Sequence, residues 1–153
     1  DGPARPMLQA SCPDAVFAGT RTGGDLAMHY ASGDLFLFPS LTETFGNVTV
    51  EAMASGLAVV AYNYAAAAAH IDHGCNGLLA QYDDAGEFKR LAVDVIGDRG
   101  RIAELGGNAR RRAEELDWDR VIRHFEALLR GISTAHGALL GQQARTLLSA
   151  AGI

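Results

Sequence analysis

The chain reads as an α/β protein: a Rossmann-like parallel sheet flanked by helices, with extra helices at its carboxyl end. Three observations lead there. Short apolar runs alternate with amphipathic stretches through the first half, as in βα units on a parallel sheet. The second half carries apolar residues at helical spacing. With 153 residues, 48% hydrophobic and 20% charged, the chain has the size of one domain and enough apolar material for a core.

Pro3 suits a first helical turn, so a helix is expected to begin there. Ala15 to Ala18 reads as a short buried strand closed by Gly19, and Asp25 to Ser32 as a helix. Asp34 to Phe38 is the clearest strand, stopped by Pro39. A helix is expected from Asn47 to Ser55 with Gly56 at its carboxyl cap, then a buried strand from Leu57 to Tyr62. Ala65 to Ala69 reads as a tightly packed helical turn. Helices are expected from Asp84 to Ile96 and from Ile102 to Leu116, separated by a Gly-Asp-Arg-Gly turn. Trp118 opens a segment with Val121, Ile122, Phe125, Leu128 and Leu129 on one apolar face, and Ala138 to Ala150 is a last amphipathic stretch. The expected division is a 1–130 domain followed by a 131–153 helical extension.

The formal net charge of −5 gives no reason to expect nucleic acid, and an anionic ligand would need a local source of positive charge. Cys12 and Cys75 match no CxxC or zinc spacing, which fits a reducing cytoplasm. No signal peptide and no bilayer-length apolar run is present. The chain opens Asp-Gly-Pro without an initiator Met and reads as a fragment.

The stretch that carries chemistry runs from Pro39 to Gly56. It is a strand's carboxyl end, a polar loop and a helix start marked by glycine. Ligands of open α/β sheets bind in that crevice. The unpaired amides of a first helical turn attract a diphosphate without any basic side chain. Gly46 lacks a Cβ, so backbone can approach a phosphate closely. Glu43 and Glu51 bracket the tip, about 10 Å apart at a helical rise of about 1.5 Å per residue. Ionised carboxylates accept from vicinal hydroxyls, so one could hold a ribose and the other a sugar. Ser40-x-x-Glu43 also fits ordinary helix capping, and Glu51 a solvated helix face; spacing alone does not choose.

Glu43-Thr44-Phe45-Gly46 and Glu51-Ala52-Met53-Ala54-Ser55-Gly56, set in a Glu-x7-Glu pattern, resemble the signature of glycosyltransferase family 4. The strings Val16 to Gly19, Tyr30 to Ser40 and Asn76 to Leu79 stand where that family has similar ones, so the likeness runs to about residue 130. The resemblance implies the carboxyl-terminal, donor-binding half of a retaining enzyme of GT-B architecture. By it, Glu43 would contact the donor sugar as the catalytic residue, and the amides of Phe45, Gly46, Asn47 and Val48 would hold the diphosphate. Glu51 would bind the ribose. Arg21, on the ligand-facing edge, is a candidate to lie against the base, with a surface role as the alternative. The donor would be a UDP- or GDP-sugar, with no metal and no other cofactor. An acceptor-binding domain and a diphosphate-binding Arg and Lys are expected upstream of Asp1, so the chain alone should be inactive.

Where many family members carry a Gly-Gly pair and then a glutamate, this chain has Tyr64, five alanines and His70. His70, His73 and Cys75 read as a loop, because a structural zinc site needs four ligands. Arg110 to Arg112, followed by Glu114 and Glu115, read as a solvated charge-paired face. The full enzyme is expected in the cytoplasm, with peripheral membrane association at the inner face as a further expectation. The competing expectation is a non-catalytic α/β module that pairs, as a homodimer, through its carboxyl-terminal helices. An epimerase with a similar sheet lacks support, since no Gly-x-Gly-x-x-Gly follows a strand.

Overall fold

A computed structural model describes residues 2–43 and 46–116, together with 119, 122, 123 and 125–131. The chain divides into two units, residues 1–113 and residues 114–153. The first unit holds the sheet. Its elements are α1 (Arg5–Ser11), α2 (Gly23–Ala31), β1 (Leu35–Phe38), α3 (Asn47–Ala54), β2 (Ala58–Tyr62), α4 (Ala65–His70), β3 (Leu78–Ala80) and α5 (Ala85–Ile96). Helix α6 (Arg99–Glu114) ends at the boundary between the units.

The three strands form a parallel sheet in the order β1-β2-β3, with Leu35 opposite Ala58 and Val60 opposite Leu78. Every residue of β2 is buried, as a parallel strand covered on both faces should be. Val59 and Ala61 join Ala52 and Met53 of α3, Ala67 of α4 and Ala109 of α6 on one face. Ala58, Val60 and Tyr62 join Phe88 and Val95 of α5 and Leu105 of α6 on the other. The alternation of side chains along β2 thus divides the core into two layers.

Helix ends follow local chemistry. Asp84 caps α5 by accepting the Glu87 amide at 2.8 Å. Gly56, at φ 81°, follows the last turn of α3 as expected of a terminal glycine. Helix α6 begins at Arg99 rather than Ile102, taking up half of the turn expected there, because the Asp98 carboxylate accepts the Arg101 amide at 2.9 Å.

Two expectations differ from the structure. Ala15 to Ala18 is not a strand: a strand exists only as part of a ladder, nothing among the described residues pairs with this one, and Val16 is 92% exposed. The helix expected from Pro3 starts at Arg5, with a proline inside its first turn. Strand β3, which the sequence did not mark, is three residues long. The expected stretch Ala138 to Ala150 and the extension 131–153, apart from Gly131, lie outside the described residues. Within the second unit, Ile122, Phe125, Leu128 and Leu129 are at least half exposed.

Candidate functional site

The loop after β1 and the first turn of α3 lie at the carboxyl end of the sheet. Gly46 is the N-cap of α3 and adopts φ 72°, ψ 33°, a left-handed conformation that other residues enter at a cost. Space demands glycine as well: a Cβ there would stand 2.2 Å from the Cβ of Ala66 in α4. The alanine run therefore packs α4 against the tip of α3. Gly46 serves packing as much as any close approach of a ligand.

Helix α3 makes its first bond from the Thr49 amide to the Gly46 carbonyl, at 3.0 Å. The amides of Asn47 and Val48 lie ahead of that bond, in the open first turn. No acidic side chain stands in that turn to oppose an anion. Glu43, half-buried, folds back so that its Oε1 accepts the Gly46 N–H at 3.2 Å. A carboxylate oxygen thus occupies a position at the helix tip that an anionic ligand could take. Phe45, expected to donate a further amide, lies outside the described residues, as does Thr44.

Glu51 is exposed on the second turn of α3. The axial distance expected between the two acids needs correction, because Glu43 and Gly46 lie ahead of α3, which begins at Asn47. Four helical steps, about 6 Å of rise, separate Asn47 from Glu51. No pattern along the chain pointed to a neighbour for Glu51. That neighbour is Tyr30 of α2, whose phenol pKa is raised by burial first, then by the negative charge of Glu51 and a hydrogen bond to it. The Tyr30 ring meets Phe36 of β1 edge-on at 5.8 Å and packs on the core layer that holds Ala52 and Met53.

Arg21 is engaged locally at the start of α2. Its Nε donates to the Ala18 carbonyl at 2.8 Å and its Nη1 pairs with Asp25 at 3.0 Å.

The histidine-rich stretch is a braced turn. His73 Nδ1 accepts the Leu79 amide at 3.0 Å, and buried Asn76 accepts from the Asp72 amide and donates to the His70 carbonyl. Among the described residues no three His, Cys, Asp or Glu side chains are grouped to hold a metal ion. Cys12 and Cys75 are exposed free thiols. In the arginine run, Arg111 donates to Asn108, and the charge of Arg112 adds to burial, the larger cause, in lowering the His70 pKa. No described helix is long and apolar enough to cross a membrane.

A cavity of about 500 Å³ opens near Asp34, Gly56 and Arg99, at the amino end of β1. Ligands of parallel α/β sheets gather at the opposite, carboxyl end. The tip of α3, not this cavity, is the better candidate site.

Comparison with known proteins shows the family and the fold. The family described as "Glycosyl transferases group 1" matches residues 1–98. A GDP-mannose-dependent alpha-mannosyltransferase of Corynebacterium glutamicum is 36% identical over 119 residues, covering 78% of this chain and 29% of that one. The chain spans less than a third of that relative. Among solved structures, sucrose-phosphate synthase from Thermosynechococcus elongatus superposes with a TM-score of 0.72 at 26% identity, covering 88% of this chain and 35% of that one. The Anabaena protein HepE, in complex with UDP and glucose, gives a TM-score of 0.69 at 27% identity, covering 83% of this chain and 36% of that one.

Proposed function

The chain belongs to the group 1 glycosyltransferases, and from that membership we propose that it binds a nucleoside-diphosphate sugar at the tip of α3, as the donor half of a retaining hexosyltransferase. The observation that carries the reading is the carboxylate oxygen of Glu43 already seated on the Gly46 amide. An amide that attracts one anionic oxygen can attract another of greater charge. A diphosphate would take that amide together with those of Asn47 and Val48, and Phe45 would add its own. Glu43, displaced, would turn to the hydroxyls of the transferred sugar. Glu51 would accept from the ribose hydroxyls, with Tyr30 beside it.

As the sugar–phosphate bond breaks, negative charge grows on the departing diphosphate. The fixed amides of α3 stabilise that charge without reorganising, so no metal ion is needed for this step. The acceptor would be held by chain that these 153 residues do not supply, so the isolated chain should bind donor and transfer nothing. One relative is named for GDP-mannose and one structural neighbour holds UDP, so both nucleotides are the probes. Pairing through exposed Ile122, Phe125, Leu128 and Leu129 is a second reading compatible with the first.

The test is NMR titration of the chain with UDP and with GDP. Shifts at the Gly46, Asn47 and Val48 amides with a millimolar or tighter Kd are expected for at least one. Unmoved amides at millimolar concentrations of both would sink the reading.

A further inference from the structure

If the tip of α3 is the donor site, the loop that delivers Glu43 has to be held in register, and the bond holding it comes from far along the chain. Residues 39–43 run as irregular backbone from the end of β1 towards α3. The Leu41 carbonyl, two residues before Glu43, accepts a hydrogen bond from the Tyr82 hydroxyl at 3.0 Å, across 41 residues of sequence.

Tyr82 is itself well anchored. It lies in the turn between β3 and α5. The Gln81 amide there donates to Glu87 Oε2 at 2.7 Å, and the Asp84 amide to the Gln81 carbonyl at 3.0 Å. Its ring lies 5.0 Å from Tyr64 and 6.4 Å from Tyr62, and Tyr62 in turn leans on Phe88 at 5.3 Å. Tyr62 and Phe88 are buried, whereas Tyr64 and Tyr82 are exposed. A row of four aromatic rings therefore runs from the core to the surface, and the phenol at its outer part reaches over to the loop. Ring packing fixes where that hydroxyl stands, so the bond restrains the loop rather than following it.

We infer that Tyr82 is a positioning residue, a strap from the β3–α5 turn that fixes Leu41 and so sets where the Glu43 carboxylate stands relative to the α3 amides. The inference rests on the donor-site reading above. Its physical content is competition: the held loop keeps the Glu43 carboxylate on the Gly46 amide that a diphosphate would take.

Tyr82→Phe isolates the point, because it keeps the ring row and removes one hydroxyl. The 153-residue chain and this variant are compared by thermal melting, by the NMR position and solvent exchange of the ligand-free Gly46 amide, and by titration with UDP and GDP. The expected result is a moved, faster-exchanging Gly46 amide, a Kd for UDP or GDP lowered up to about fivefold as the Glu43 carboxylate leaves that amide, and a Tm within about 2 °C of the parent. An unmoved Gly46 amide with unchanged Kd overturns the inference and leaves the donor site standing. A Tm lowered by several degrees with the Gly46 amide in place also overturns it, assigning Tyr82 to fold stability. If the parent binds neither nucleotide, the donor-site reading falls, while the ligand-free Gly46 amide still shows whether the strap exists.

Discussion

Glu43 and the Gly46 amide are partners in the free chain, which makes substitution at Glu43 diagnostic. Glu43→Ala removes both a competitor for the amide and a negative charge near the proposed diphosphate. Bare UDP or GDP is therefore expected to bind as well as before or up to about fivefold tighter. The advantage of a sugar nucleotide over its bare nucleotide should disappear. Weaker binding of the bare nucleotide, read by calorimetry, would show instead that Glu43 supports the phosphate. Ala65 offers a second test at this scale. It holds φ 48° in the stretch where the resembled family carries a glycine pair. A left-handed alanine costs about 1–2 kcal/mol, and glycine gives back about 0.5–1 kcal/mol through the entropy of its unfolded chain. Ala65→Gly should then stabilise the chain by about 0.5–1 kcal/mol in urea unfolding, and any net loss would mean that the backbone there is unstrained. The acids and the glycine of the site were legible in the sequence because they fall within one short stretch. Tyr30 and Tyr82 were not, because their partners lie 21 and 41 residues away in sequence and meet them only in the fold.

Packing between elements sets sharper limits than propensity does. In α6, a Cβ added at Gly106 would stand 2.2 Å from the Gly56 carbonyl oxygen, and neither backbone can give way easily. One residue on, the nearest atom to a Cβ at Gly107 is the mobile end of Arg111, at 4.0 Å. Gly106→Ala should therefore cost about 2–3 kcal/mol, whereas Gly107→Ala, inside the same helix, should gain about 0.5–1 kcal/mol. Equal effects from the two substitutions, measured by denaturant unfolding, would mean that α6 does not press on the α3–β2 turn. His70, the last residue of α4, carries the pH dependence of this region. Its Nδ1 is buried with no hydrogen-bond partner among the described residues, and its pKa is lowered by burial first and then by the Arg112 charge. The folded chain resists protonation there, so the unfolded chain takes up the proton first. The contribution is full above the unfolded pKa of about 6.5 and is lost as pH falls from there towards the lowered folded value. His70→Gln should flatten the fall in stability below about pH 6.5; an unchanged slope would place the titration elsewhere. Helical periodicity marked α5 and α6 in the sequence, and apolar runs marked β1 and β2. A three-residue strand such as β3 carries too little pattern to detect, while Ala15 to Ala18 has the composition of a strand but no partner to pair with among the described residues.

At the scale of the whole molecule, the sheet presents an unprotected edge. Strand β1 is terminal in the order β1-β2-β3, so its outer side has no ladder partner among the described residues. Its sequence is Leu-Phe-Leu-Phe, with Leu37 44% exposed and without the lysine or bulge that usually blunts such an edge. The helices preceding it, α1 and α2, have no buried residue. The 153-residue chain spans less than a third of the C. glutamicum relative, which has further chain available to cover such a surface. Taken alone, the chain is therefore expected to self-associate through β1, its apparent mass by light scattering rising between about 10 µM and 1 mM. Leu37→Lys sets a charge on that edge without opening the core and should abolish the rise while circular dichroism melting stays cooperative. Phe125→Glu separates this route from pairing of the second unit, where Phe125 is 60% exposed. A rise removed by Phe125→Glu but not by Leu37→Lys would assign association to the carboxyl-terminal unit, and a mass constant across the whole range would show that β1 needs no partner.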